Sequence, residues 1–485
     1  MKSYDFLWLS LALFPLLILS FLLPLTPHDY WWYLRLGRDV LQSGAVPTTD
    51  AYSFTHFGKV LVNESWLSGA VFWLAYSAGG LALTFALRGF VIALAYGGLW
   101  GLTRSAGAGP RLAAVLTLLA GLAGSSNWSF RPQLLVYPLF AFALWILWKW
   151  EQHPTRTLWV LPLLALLWAN LHGSFPLLLI VMGAALVFGR GDRKTLALVF
   201  GLSVLAALVN PVGFDLWRSV ALAFVAPNPQ PGPEWLPPVN AGWQMNLFFG
   251  WVLATAPLAA FSPRKLSALS WIWFLGLTWL AFSGLRYVVW DLFLLALCSA
   301  GLLAEWSLLR IKTREETSRS SFLRGESHPA TGKAKLNLLL ATTLLLLPLG
   351  LLPGVRENWW SAAPAPLSDD TPVAAAEWLT QHPELPGELW SNLVFSSYLI
   401  HALPERRVAI DTRLEMLYTS EDFDRYTRIA RAEADWQSLL EADNINLLMV
   451  SVQSEPALIT ALQTSALWCE QYRDSTAVIF SRCAP

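Results

Sequence analysis

Between His28 and Trp66 the chain carries the carboxylates Asp29, Asp50 and Glu64, besides Asp39, and three tryptophans, Trp31, Trp32 and Trp66. They follow directly on the apolar run Phe6 to Thr26. A carboxylate can take a proton from a hydroxyl or amine, or offer oxygen to a divalent cation. Tryptophan rings suit the boundary between water and lipid. The stretch predicts acid–base chemistry beside a bilayer.

Other unusual polar residues stand between apolar runs. They are Asn127-Trp128-Ser129-Phe130-Arg131-Pro132-Gln133, Asn170-Leu171-His172-Gly173, Asn210-Pro211-Val212-Gly213, Pro233-Glu234-Trp235-Leu236-Pro237-Pro238, and Arg286. Arg131, His172 and Arg286 are candidates to hold a lipid phosphate, with Asp29 as base and a polyprenyl chain lying along the helices. Glu64 or Glu234 could position an acceptor or a metal. Asp29, Asp50 and Glu64 together permit a divalent metal without demanding one. No Cys/His spacing suggests zinc, no Gly-rich loop suggests a nucleotide, and nothing points to nucleic acid.

Each residue also has a plainer reading. Asp29 could end a helix at the water interface, and Asp50 before Ser53 could cap a turn. Glu64 could favour a helix start. Arg131 could reach from the apolar layer to water, and His172 could be satisfied within a tight helical hairpin. Asn210-Pro211 reads as a helix stop. Asp291, inside an apolar run, is a functional candidate by default and also a possible partner for Arg286. Asp411 and Arg413 read as a structural ion pair.

Positioning falls to membrane helices. Of 485 residues, 55% are hydrophobic and 14% charged, against about 25% charged in soluble domains. Apolar runs of the roughly 20 residues that cross a hydrocarbon core recur along the chain. The fold class is a polytopic α-helical membrane protein. A first helix over 6–26 reads as an uncleaved anchor. The external loop 28–80 should hold two interfacial helices, 30–41, closed by Gly44 and Pro47, and 64–77, ending at Gly79-Gly80. Spans near 81–103, 111–126, 132–150, 157–171, 174–190, 194–210, 246–261, 266–283, 287–304 and 335–353 bring the count to about eleven. Basic residues Arg104, Arg111, Lys149, Arg156, Arg190, Arg193, Lys194, Arg264 and Lys265 then share the cytoplasmic side with the Ser-rich segment of about 306–334, which reads as a flexible linker.

Charge marks a second boundary. From Val355 onward there are 9 Arg, no Lys and 19 Asp or Glu. This tail, 355–485, alternates strand and helix signals and reads as an extracytoplasmic α/β domain after the membrane domain 1–354. Strands are expected at 388–392, 407–411 and 445–452, helices at 421–442 and 455–464, and a hairpin at the end. Cys469 and Cys483 flank that hairpin and could pair if the tail lies outside the cytoplasm; free thiols are the alternative.

The order of these elements resembles the type C fold of membrane glycosyltransferases that use polyprenyl-phosphate sugars, whose familiar branches include protein O-mannosyltransferases and aminoarabinose transferases. It is more closely similar to a bacterial branch with Asp-x-Trp-Trp-His-Leu, Pro-x-x-Asp-x-x-Ser-x-Thr and Glu-Trp-Leu elements. Here these stand as Asp29-Tyr30-Trp31-Trp32-Tyr33-Leu34, Pro47-x-x-Asp50-x-x-Ser53-x-Thr55 and Glu64-Ser65-Trp66-Leu67. Arg131-Pro132, Asn170 to Gly173, Asn210 to Gly213, Glu234 to Pro238, and Ile410-Asp411-x-Arg413 with Tyr418 also fit. His28 stands where many members have a second acid, Tyr33 replaces a His, and Ser65 interrupts the Glu-Trp pair.

The resemblance implies that Asp29 deprotonates an acceptor and that sugar transfers with inversion. The donor would be a polyprenyl-phosphate sugar; the acceptor would be a cell-envelope glycan, lipid or protein at the outer face of a bacterial cytoplasmic membrane. The rival expectation is non-enzymatic: a transporter of lipid-linked glycans, or an assembly scaffold with a decayed site.

Overall fold

The computed structural model describes residues 2–225, 232–322, 330–385, 387–414 and 416–483. The helices run α1 Ser3–Leu22, α2 Tyr30–Ser43, α3 Trp66–Ser105, α4 Pro110–Gly124, α5 Pro132–Gln152, α6 Leu161–Leu171 and α7 Pro176–Phe188. They continue as α8 Arg193–Ala207, α9 Asp215–Val225, α10 Gly242–Phe261, α11 Ala268–Ser283, α12 Val288–Phe322 and α13 Ala330–Leu346. Among the described residues, six helical stretches are long and apolar enough to cross a membrane: Ser3–Leu22, Trp66–Ser105, Pro132–Gln152, Gly242–Phe261, Leu285–Glu305 and Lys333–Leu351. The other five expected spans form helices (α4, α6, α7, α8 and α11) of 11 to 16 residues. These fall short of the length that crosses a bilayer on its own, so the count of eleven does not follow from length and composition.

The two ends of α1 separate two groups of loops. Near its start Arg104 pairs with Asp5 at 3.6 Å, Arg111 donates to Tyr4, and Arg264 donates to the Ala106 carbonyl. Beyond its other end lies Asp29. The segment expected as a linker starts as a continuation of α12, which runs to Phe322; residues 323–329 lie outside the described residues. Helix α9 falls in a stretch expected as loop.

The first loop carries the two helices its periodicity predicts. Helix α2 is closed by Gly44 in a left-handed conformation. Its aromatic face is buried between α3 and the tail rather than left open on a bilayer surface. A Cβ on Gly37 would stand 1.9 Å from the Gly69 carbonyl oxygen, so α2 and α3 touch at their backbones. Helix α3 breaks at Gly79-Gly80, where Gly80 has φ 56° and ψ −142°, a conformation that glycine adopts at little cost. The break separates a short first segment from the longer apolar one.

The tail contains α14 Val373–Gln381, β1 Glu388–Ser391, α15 Leu393–Ala402, α16 Ser420–Ala430, α17 Trp436–Ala442, β2 Ile445–Ser451, α18 Pro456–Thr464, β3 Trp468–Arg473 and β4 Ala477–Arg482. The sheet order is β1-β2-β4-β3, with β1 parallel to β2 and the other pairs antiparallel. Strand β2 reads as a nearly continuous apolar run because both of its faces are covered. Leu447 and Met449 pack with α15, and Leu448 and Val450 with α16 to α18. Cys469 and Cys483 form a disulfide across the closing hairpin.

The expected strand 407–411 is absent. Val408 alone makes isolated bridges, to Ser53 and Leu389. Its amide donates to the Tyr52 carbonyl and its carbonyl accepts from Phe54. The segment therefore stitches the first loop to β1, bonding to Leu389 on one side and to the loop on the other, without forming a full strand. The expected helix 421–442 is divided into α16 and α17.

A buried ion cluster completes this junction. Arg413 donates to Asp50 at 2.6 Å and to both oxygens of Asp411 at 2.8 and 2.6 Å. Tyr52 and Trp32 flank its guanidinium, 5.0 and 5.9 Å from their ring centres. The aromatic, turn and tail elements noted in the sequence thus meet at one arginine. Removing one member of such a cluster strands buried charge, at about 3–5 kcal/mol. Arg413→Met is expected to lower the melting temperature of the detergent-purified protein and to speed protease cleavage in the tail. Replacing Asp50, Asp411 and Arg413 together by apolar residues should cost less than Arg413→Met alone.

Candidate active site

Residue Asp29 occupies the N-cap position of α2, yet its side chain makes no capping hydrogen bond. The carboxylate turns into a cavity of about 250 Å³. Glu64, Arg131, His172, Glu234 and Arg286 also line it. The candidates that the sequence assigned to one site with Asp29 therefore lie around one cavity. Thr412, Arg413, Leu414 and Met416 of the tail close another side.

The charges are arranged unevenly. Arg131 Nε lies 3.1 Å from Asp29 Oδ2, and its Nη1 donates to Glu234 Oε1 at 2.6 Å. One guanidinium thus serves two carboxylates, and reaching to the interface does not describe it. The Arg286 guanidinium rests 3.9 Å above the Trp235 ring and makes no ion pair among the described residues. Asp291 is not its partner: that carboxylate is buried and accepts from Thr278 at 3.2 Å, away from the cavity. The Glu64 carboxylate lies against Gly173, where a Cβ would come within 2.5 Å of Oε1. It contributes to the cavity wall, while Ser65 takes the N-cap position of α3.

Both histidines of the cavity are held neutral. Burial, with the Arg286 charge added, lowers His172 to about 3. Its Nδ1 accepts from the Ser174 amide at 3.0 Å, which leaves the ring proton on Nε2. His28 is also lowered, chiefly by burial, against the opposing pull of Asp29. Neighbouring Asn170 is structural: it accepts from Trp66 and donates to the Leu166 and Val209 carbonyls. Asn210 folds its side chain into its own turn, as a helix stop should.

The residues expected to hold a divalent cation do not fit one. Asp50 is absorbed by Arg413, the Tyr52 and Ser53 amides and the Ser53 hydroxyl. It caps a turn, as its plainer reading had it, and does not reach the cavity. Asp29 and Glu234 share Arg131. No group of three or more His, Cys, Asp or Glu placed for a metal occurs among the described residues.

The residue with no sequence signal of its own is Thr412. Its hydroxyl donates to Asp29 Oδ1 at 2.6 Å across 383 positions of chain. Only its place between Asp411 and Arg413 could have drawn attention to it.

No family model matches the chain, and no curated protein matches it. Solved structures do. The archaeal oligosaccharyltransferase AglB from Archaeoglobus fulgidus, in complex with an inhibitory peptide and a dolichol-phosphate, aligns with a TM-score of 0.61 at 13% identity, over 93% of this chain and 69% of that one. ArnT from Cupriavidus metallidurans, bound to undecaprenyl phosphate, aligns at 0.51 and 15% identity over 99% and 98% of the two chains. The chain has the type C glycosyltransferase fold. The alignments extend over the helices, the first loop and the tail alike.

The neutral His172 sets a pH dependence. The unfolded chain takes a proton there near 6.5, whereas the folded chain resists until about 3. The stability from keeping the ring neutral is whole above the unfolded value and is lost as pH falls toward the folded one. His172→Gln is expected to flatten the decline of melting temperature between about pH 6.5 and 4. Equal declines in both proteins would show that this ring does not set it.

Proposed function

We propose that the chain is a membrane glycosyltransferase that moves a sugar from a polyprenyl-phosphate carrier to an acceptor, with Asp29 as the base. The observation that carries this reading is the pairing, in one cavity, of an uncapping, cavity-directed Asp29 with Arg286 and a neutral His172 that can donate through Nε2. Two solved proteins of the same fold hold dolichol-phosphate or undecaprenyl phosphate.

The chemistry follows from these roles. Asp29 accepts the acceptor's proton while the freed oxygen or nitrogen bonds to the anomeric carbon. The bond from that carbon to the phosphate oxygen breaks, and polyprenyl phosphate leaves with the electron pair. Arg286 and the Nε2–H of His172 face that growing negative charge. Glu64 and Glu234 orient the acceptor, and Arg131 keeps the acids from repelling one another. Attack opposite the leaving phosphate inverts the anomeric centre.

The tail works outside the cytoplasm in this reading. Its disulfide supports that, since such bonds persist in oxidising compartments. A bacterial cytoplasmic membrane and an envelope glycan, lipid or protein acceptor complete the proposal.

The test compares wild type with Asp29→Asn in the native host at matched membrane levels. Removing a general base costs on the order of 10²–10⁴ in rate. One glycan species should disappear while its carrier-linked precursor accumulates. An unchanged glycan profile in Asp29→Asn, with a changed one in the full deletion, would remove Asp29 as base and leave a transporter or scaffold.

A further inference from the structure

The Thr412 hydroxyl has one proton, and the Asp29 carboxylate receives it at 2.6 Å. The Ser397 hydroxyl lies 2.7 Å from the same Thr412 oxygen. With its proton already given away, Thr412 accepts there and Ser397 donates. Ser397 is fully buried on α15, the helix that packs on α2. A relay therefore runs from the tail's interior, through Thr412, to the proposed base.

This is the directed hold on Asp29. The contact from Arg131 Nε to Oδ2 is a charge contact and lacks hydrogen-bond geometry. That guanidinium is also drawn toward Glu234. The Asp29 side chain makes no capping bond to the helix it begins. Thr412, by contrast, is immobilised on both sides by Asp411 and Arg413, which are locked to each other and to Asp50.

We infer that Thr412 is a positioning residue of the transfer reaction, seated by the Asp50–Arg413–Asp411 cluster and supported by Ser397, and that the tail thereby forms part of the catalytic centre. The inference rests on the reading of Asp29 as base. A carboxylate can turn about its last bond, and a single hydrogen bond to Oδ1 decides which oxygen meets the acceptor. Loss of that alignment costs rate without costing carrier binding, because the phosphate-facing groups, Arg286 and His172, belong to other segments.

Full-length Thr412→Val, Thr412→Ser and Asp29→Asn are compared with wild type at matched membrane levels. Product is followed in the native host. Stabilisation against heat by undecaprenyl phosphate is followed on detergent-purified protein. Thr412→Val should slow product formation by about 10- to 100-fold, the size of a lost hydrogen bond to a charged group. Thr412→Ser should stay within about threefold of wild type, since it keeps the donor. All variants should gain the same stabilisation from undecaprenyl phosphate as wild type.

A Thr412→Val protein that makes product at the wild-type rate overturns the inference. So does a Thr412→Ser protein as slow as Thr412→Val, or a Thr412→Val protein that is unfolded or no longer stabilised by the carrier, because the residue then serves folding or binding. A normal glycan in Asp29→Asn overturns the transferase reading itself. An inactive Asp29→Asn beside a fully active Thr412→Val overturns only the role of Thr412.

Discussion

The arrangement depends on a buried charge cluster. Arg413, Asp50 and Asp411 lie almost wholly out of solvent, where unpaired charges are strongly disfavoured. The cluster holds only when all three are together with their hydrogen bonds made. That requirement joins a loop near the start of the chain to a segment near its end. The backbone stitch at Val408 and the docking of α15 on α2 follow the same line of contact. The first loop is therefore fixed from two sides, by α3 beneath it and by the tail above it.

Within that frame the cavity is polar in two different ways. Around Asp29 and Glu234, two carboxylates share the single guanidinium of Arg131, so acid is in excess there. Around Arg286, positive charge faces an aromatic ring and a neutral imidazole. The acidic side suits a group that gives up a proton. The positive side suits an anion.

Local chemistry in the sequence makes much of this legible. The break at Gly79-Gly80 is visible because adjacent glycines interrupt an apolar run. The hairpin around Cys469 and Cys483 and the unbroken apolar run of β2 carry their own signals. Asp29, Arg131, His172, Glu234 and Arg286 stand out because charge is unusual between apolar segments. Thr412 does not stand out: a threonine after an aspartate is ordinary anywhere, and its meaning comes from a contact made only after folding. The segment 407–411 has strand composition, but its hydrogen bonds are divided between Leu389 of β1 and the first loop, one residue at a time. Short helices such as α6 and α7 have apolar composition, yet composition alone does not fix whether an 11- or 13-residue helix crosses the membrane.

The distance along the chain between Asp50 and Arg413, 363 positions, has a consequence for biogenesis. At synthesis rates of about 5–20 residues per second, the first loop waits roughly 20 to 70 seconds for its counter-charge. Throughout that interval Asp50 has no arginine to bury against, so the loop stays hydrated and its aromatic face stays unsealed. The cavity around Asp29 is completed only when the last quarter of the polypeptide has been made. A chain truncated by stalled translation is thereby left without a finished pocket. Completion of synthesis acts as its own checkpoint on the cavity.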